Sequence, residues 1–164
     1  MTGQAGRDRG LPLAAMWLLC QPGIVRRVSL RAVIVDDSTQ FLRAARCLLE
    51  REGIIVVASA STGAEALRSA EEYDPDVVLV DVGLGAESGF DVAERLSRAT
   101  GRRRRVVLIS AHREQDLREL IDASPAIGFV PKSQLSARAI IELLGGSDGG
   151  RADGPGRTDA PRGT

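Results

Sequence analysis

The sequence is poor in the residues that most often announce chemistry. It has one histidine, His112, and two cysteines, Cys20 and Cys47, in 164 residues. One imidazole rules out a His-rich metal site within one chain. Two cysteines do not make a disulfide framework, so a reducing compartment, the cytoplasm, is the simpler setting. An excess of either charge is also missing, because 22 Lys+Arg stand against 22 Asp+Glu. That balance gives no reason to expect non-specific binding to nucleic acid or to an anionic membrane. A membrane-length apolar run is missing too. The run from Leu11 to Cys20 is interrupted by Pro12 and is too short to cross a bilayer. It follows Arg7 and Arg9 as a signal-peptide core would, but no small-x-small cleavage site follows it cleanly.

What is present suffices for one folded domain. The chain is 43% hydrophobic, enough to pack a core, and its length leaves residues to spare. The spare residues are expected at the ends. Residues 1–28, which include Trp17 and Cys20, read as an atypical, disordered extension, with translation starting near Val28 as one reading. Residues 145–164, GGSDGGRADGPGRTDAPRGT, have no apolar face to bury and read as a disordered tail.

Between these ends the pattern alternates. Strands are predicted at 31–35, 54–60, 77–80, 105–109 and 127–130, each a short apolar run. Helices are predicted between and after them. The first, 38–52, carries Phe41, Ala45, Leu48 and Leu49 on one stripe, with Gly53 at its end. The second starts at the capping-box pattern Thr62-Gly63-Ala64-Glu65 and stops at Pro75. A Gly-rich turn then leads to a helix with Phe90, Val92, Ala93 and Leu96. The last two are placed at 114–123 and 133–144. The run Arg102 to Arg105 reads as a solvated loop. Five βα units imply a parallel sheet covered on both faces, in the doubly wound, flavodoxin-like order 2-1-3-4-5.

In such sheets ligands bind at the carboxyl ends of the strands. The polar residues there are Asp36 and Asp37 after the first strand, Asp81 after the third, Ser110 after the fourth and Lys132 after the fifth. Each alone has an ordinary explanation: a helix-dipole acid pair, a solvated strand end, a helix cap, a surface lysine. Together they place three carboxylates, a hydroxyl and an ammonium around one crevice. Clustered carboxylates oppose one another's ionisation unless a cation joins them. An oxygen-only donor set favours Mg²⁺ or Mn²⁺ over zinc. Lys132 and Ser110 suit phosphoryl oxygens, and a carboxylate can itself be the nucleophile that takes a phosphoryl group.

The segments IVDDS, LVDVGLGAESGFD, LISA and GFVPKS, at spacings of about 45, 29 and 22 residues between their key members, resemble the receiver domain of two-component response regulators. The resemblance covers about residues 30–144 and implies a receiver domain at 29–144. It implies Asp81 as the phospho-accepting aspartate. It also implies Mg²⁺ held by Asp37, Asp81 and the Gly83 carbonyl, with Asp36 acting through water. Ser110 would be the switch hydroxyl, Phe129 the switch aromatic, Lys132 the phosphoryl-binding lysine and Gly89 the glycine of the following turn. Two departures stand out. Gly85 occupies a position where the family often has proline, which implies a looser turn. Gly83 and His112 lie where the family tunes dephosphorylation. The implied partners are a sensor histidine kinase or phosphotransfer protein and a downstream protein, with a homodimer on phosphorylation left open. Only about twenty residues follow Leu144, so no DNA-recognition helix is expected. Two alternatives stay open: an interaction module that is never phosphorylated, and a phosphatase using Asp81 as a transient nucleophile.

Overall fold

The computed structural model describes residues 29–99 and 104–146. The expectations for 1–28, for Arg102 and Arg103 and for 147–164 lie outside the described residues. Numbering only the strands of the main sheet, β1 is Arg31–Val35, β2 Ile55–Ala60, β3 Val77–Asp81, β4 Val106–Ser110 and β5 Gly128–Pro131. The helices are α1 Thr39–Arg51, α2 Gly63–Tyr73, α3 Gly89–Arg98, α4 Glu114–Ala123 and α5 Ala137–Gly146. The sheet is parallel throughout, in the order β2-β1-β3-β4-β5. The expected doubly wound arrangement is therefore the one observed.

The short apolar runs are strands because both of their faces are covered. Ala32, Ile34, Leu79, Val107 and Ile109 point into one cluster with Leu42, Ala45 and Leu49 of α1 and Ile140 of α5. Val33, Val35, Val78, Val80 and Leu108 point into the other, against Ala66, Val92 and Leu96 of α2 and α3. Alternate residues of one strand thus feed opposite clusters, as the two-residue period of a strand requires. β3 lies at the centre, paired with β1 on one side and β4 on the other. Its carboxyl end is flanked by the ends of both neighbours.

The helices begin and end for local reasons. Ser38 caps α1 by accepting the Phe41 N–H at 3.3 Å. Thr62 caps α2 through the Glu65 N–H at 3.2 Å, while the Glu65 carboxylate reaches back one residue further than a standard capping box, to the Ser61 N–H. Asp74, in the left-handed region, ends α2 just before Pro75.

Several expectations need correction. The buried stripe of α1 is Leu42, Ala45 and Leu49, whereas Leu48 is 39% exposed. The stretch after β5 is not one helix from 133. Lys132–Gln134 forms a single 3-10 turn, and α5 starts only at Ala137. The Ser136 hydroxyl accepts the Ala139 N–H there. α5 then runs through Gly145 and Gly146, which the sequence assigned to the tail. The Gly-rich turn after Asp81 is a small antiparallel hairpin, with Gly83 opposite Ser88 and Leu84 opposite Glu87. Its two loop residues are Gly85 and Ala86. Gly85 has φ +58°, the positive first position that a type II′ hairpin turn demands. Proline cannot adopt that φ. Glycine is therefore the residue that this backbone conformation favours.

Candidate functional site

The carboxyl ends of β1, β3 and β5 bring together four of the expected side chains. Asp36, Asp37 and Asp81 each offer a carboxylate oxygen, and these lie within 4.8 Å of one another. Asp36 is wholly buried and Asp81 nearly so, while Asp37 is exposed. Asp36 is fixed from three sides. Its backbone N–H donates to the Ala60 carbonyl at 3.0 Å, its Oδ1 accepts the Ser38 N–H at 2.8 Å, and its Oδ2 is 2.6 Å from Lys132 Nζ. That last contact pairs the buried Oδ2 with the ammonium, and a carboxylate oxygen has a second lone pair with which to accept.

Lys132 reaches both buried acids, since its Nζ is also 3.1 Å from Asp81 Oδ2. Phe41, in the first turn of α1, presents its ring to the same ammonium at 4.4 Å. Burial disfavours the charged lysine, but Asp36 and Asp81 outweigh it and hold its pKa above the usual range. Asp81 is the opposite case. Burial pushes its carboxyl up, Lys132 pulls it down, Asp36 pushes it up again and the Gly83 N–H pulls it down, for a net rise. The nucleophile candidate is thus a carboxylate whose negative charge is only partly compensated. Three carboxylates against one ammonium leave two negative charges in the cluster.

That residual charge is what a divalent cation removes. The donor set is all oxygen, and the buried Asp36 Oδ2 has accepting capacity to spare. The residues present therefore fit Mg²⁺ or Mn²⁺.

The segment after Asp81 is fixed against the strand that carries it. Gly89 packs so closely on the Asp81 backbone that a side chain there would come within 2.8 Å of the Asp81 carbonyl carbon and the Val82 Cα. The Gly89 N–H donates to the Val82 carbonyl at 2.9 Å. Glu87 ties the hairpin to α2 by accepting the Gly63 N–H at 3.2 Å, and it pairs with Arg95 at 3.5 Å. Gly85 lies against Asp37, where a Cβ would approach Oδ2 to 3.4 Å.

Ser110, the last residue of β4, is 2% exposed and turned toward its own loop, with His112 on its hydroxyl. Phe129 pairs with Leu108 in the sheet and is buried in the α2–α3 cluster. A groove of about 760 Å³ runs beside it, lined by His112, Arg118, Pro131, Gln134 and Leu143 among others; none of the three aspartates lines it. Sequence reasoning missed Phe41 as a neighbour of Lys132 and Glu87 as the anchor of the hairpin. Position alone could have found Phe41, since the first turn of α1 begins at the same end of the sheet as Asp36 and Asp37.

Comparison with known proteins agrees with this geometry. The family described as "Response regulator receiver domain" matches residues 32–144. The chain belongs to this family. Among similar curated proteins is the nitrate/nitrite response regulator protein NarP of Escherichia coli. It is 32% identical over 122 residues, covering 74% of this chain and 56% of NarP. A protein-glutamate methylesterase/protein-glutamine glutaminase of Alkalilimnicola ehrlichii is 30% identical over 145 residues, covering 82% of this chain and 37% of that protein. Among solved structures, a LuxR-family two-component response regulator from Aurantimonas sp. superposes with a TM-score of 0.65 at 28% identity, covering 72% of this chain and 86% of that one. The chain thus spans about half, or less, of the curated relatives it matches. Among the described residues no helix is long and apolar enough to cross a membrane.

Proposed function

We propose that Asp81 accepts a phosphoryl group from the phosphohistidine of a sensor histidine kinase or phosphotransfer protein, and that the chain passes the change on through a protein-interaction face. The observation that carries this reading is the convergence of Asp36, Asp37, Asp81 and Lys132 at adjoining strand ends. An Asp81 carboxylate oxygen attacks phosphorus, the bond from phosphorus to the donor's imidazole nitrogen breaks, and the imidazole leaves. The chain is a substrate of this transfer rather than an enzyme.

Asp37, Asp81 and the Gly83 carbonyl would hold Mg²⁺, with Asp36 acting through water. Bound there, Mg²⁺ supplies the positive charge that lets an anionic carboxylate meet an anionic phosphoryl group. Asp36 and Asp37 keep that charge at the strand end. Lys132, already oriented by Asp36, Asp81 and the Phe41 ring, turns its ammonium to a phosphoryl oxygen. Ser110 follows the new dianionic group, and Phe129, buried beside Leu108, is the aromatic that exchanges between core and surface as Ser110 moves. Both residues lie on β4 and β5, next to the groove with α4 and α5, so this face is the one read by the next protein. In this proposal the output goes through a protein partner rather than through DNA. A cytoplasmic setting, with 29–144 as the working unit, completes the proposal.

Intact-mass spectrometry with Mg²⁺ and acetyl phosphate tests it. One added phosphoryl group, absent in Asp81→Asn and in Mg²⁺-free samples, is expected. No adduct on the folded protein contradicts it, as does steady phosphate release without an adduct.

A further inference from the structure

The hydroxyl on which the switch depends is already engaged. Ser110 Oγ accepts the His112 backbone N–H at 3.0 Å, and His112 Nδ1 lies 3.3 Å from the same oxygen. A serine hydroxyl has one hydrogen to give. In the tautomer that carries the ring proton on Nε2, Nδ1 accepts that hydrogen, and this is the arrangement the latch requires. Ser110 is buried, so bulk water does not compete freely for the bond. His112 itself is exposed and lines the groove that also borders Phe129 and Pro131. The ring therefore stands between the buried hydroxyl and the face proposed to carry the output.

We infer that His112 is a positioning residue that latches Ser110. Its ring holds the hydroxyl on the loop side, and a phosphoryl group on Asp81 must take that hydrogen away before the face changes. The latch rests on the proposed phosphorylation of Asp81 for its consequence, but not for its existence. Only the ring contact depends on the side chain at 112, since the backbone N–H stays whatever residue stands there. Loss of the ring contact shifts the balance toward the released state by roughly two- to tenfold, the worth of one hydrogen bond.

Two measurements test it. The first needs no phosphorylation. His112 is the only histidine, so a long-range proton–nitrogen spectrum recorded well above the usual histidine titration range reports its ring alone. Nδ1 is expected to be the unprotonated nitrogen, and its resonance moves in Ser110→Ala. A proton on Nδ1, or a resonance that stays in place, overturns the latch.

The second is the rate of adduct formation with acetyl phosphate. His112→Phe keeps a ring of similar bulk without Nδ1, and His112→Ala removes both. The latch predicts that both substitutions raise the rate alike, roughly two- to tenfold, and that neither has an effect in a Ser110→Ala background. If His112→Phe behaves like the wild type while His112→Ala does not, or if the effects persist without the Ser110 hydroxyl, the ring only shields the site and the inference fails. An absent adduct on the wild type would overturn the phospho-acceptor reading instead, with the imidazole spectrum still deciding the latch.

Discussion

Lys132→Met removes the charge on which the buried end of the site depends and keeps most of the apolar stem. Nζ is 2.6 Å from Asp36 Oδ2 and 3.1 Å from Asp81 Oδ2, and these carboxylates are 0% and 8% exposed. Removing one partner of a buried pair costs about 3–5 kcal/mol, because the other charge stays behind unpaired. The lysine side chain is itself 19% exposed, which places the expected loss near the lower end, about 3 kcal/mol. Loss of the Phe41 contact adds about 0.5 kcal/mol. For a domain of this size the melting temperature falls by about 10–20 °C. The pH dependence has a definite sign. Without the ammonium, the Asp81 carboxyl, already raised by burial, loses the partner that pulls it down and rises further above its unfolded value. The native state then binds more protons than the unfolded one, so stability falls as pH rises through the raised value and recovers as pH falls. Magnesium gives a second handle. A cation at one hundred times its dissociation constant returns about 2.7 kcal/mol, and it should stabilise Lys132→Met more than the wild type, because no ammonium competes. Thermal unfolding followed by circular dichroism, with EDTA and then with Mg²⁺, reads all three effects. A melting temperature in EDTA within about 2 °C of the wild type, with no added response to Mg²⁺, would refute the electrostatic account.

Other perturbations follow from the same geometry. Asp81→Asn removes a carboxylate that is costly to ionise where it stands, so in metal-free buffer it should melt higher than the wild type. The wild type should lose stability as pH rises from the ordinary aspartate value of 3.8 through the raised native one, and the variant should lack that part of the slope; parallel pH profiles would contradict this. Gly89→Ala forces a methyl group against the Asp81 backbone. A loss of about 1–3 kcal/mol in urea unfolding, together with weaker Mg²⁺ binding, is expected, whereas unchanged binding would show that the strand end tolerates the shift. Leu79→Ala, in the fully buried centre of β3, should cost about 2–5 kcal/mol by the urea midpoint and leave metal affinity unchanged in the folded fraction.

The fold was readable because each strand is an apolar run ended by turn chemistry, and because helices of 3.6-residue period alternate with them. The site was readable for a related reason. Asp36, Asp37, Asp81 and Lys132 are polar residues placed directly after buried strands, and a parallel sheet puts such positions at one end. What escaped depended on contacts between segments far apart in the chain. Leu42, not Leu48, packs in α1 because the sheet fixes which face of the helix is covered, and the apolar spacing permits both. The hairpin at 83–88 needs Glu87 to find the α2 N-terminus, a partnership with no local signature. The 3-10 turn at 132–134 stands before α5 and carries Lys132, whose partners Asp36 and Asp81 are far away in the chain. Gly85 was read as a departure from the family's proline, and only its positive φ shows why glycine suits the position.

The central claim is that the phosphoryl group rests on Asp81 and nowhere else. Acyl phosphates are reduced by borohydride whereas free carboxylates are not, so trapping the phosphorylated protein with borohydride and mapping its peptides by mass spectrometry tests the claim most directly. The account predicts that the residue at position 81 alone is converted to homoserine, in a sample prepared with Mg²⁺. Conversion at Asp36 or Asp37 instead, or a phosphoryl group retained on a histidine or serine peptide, would contradict it.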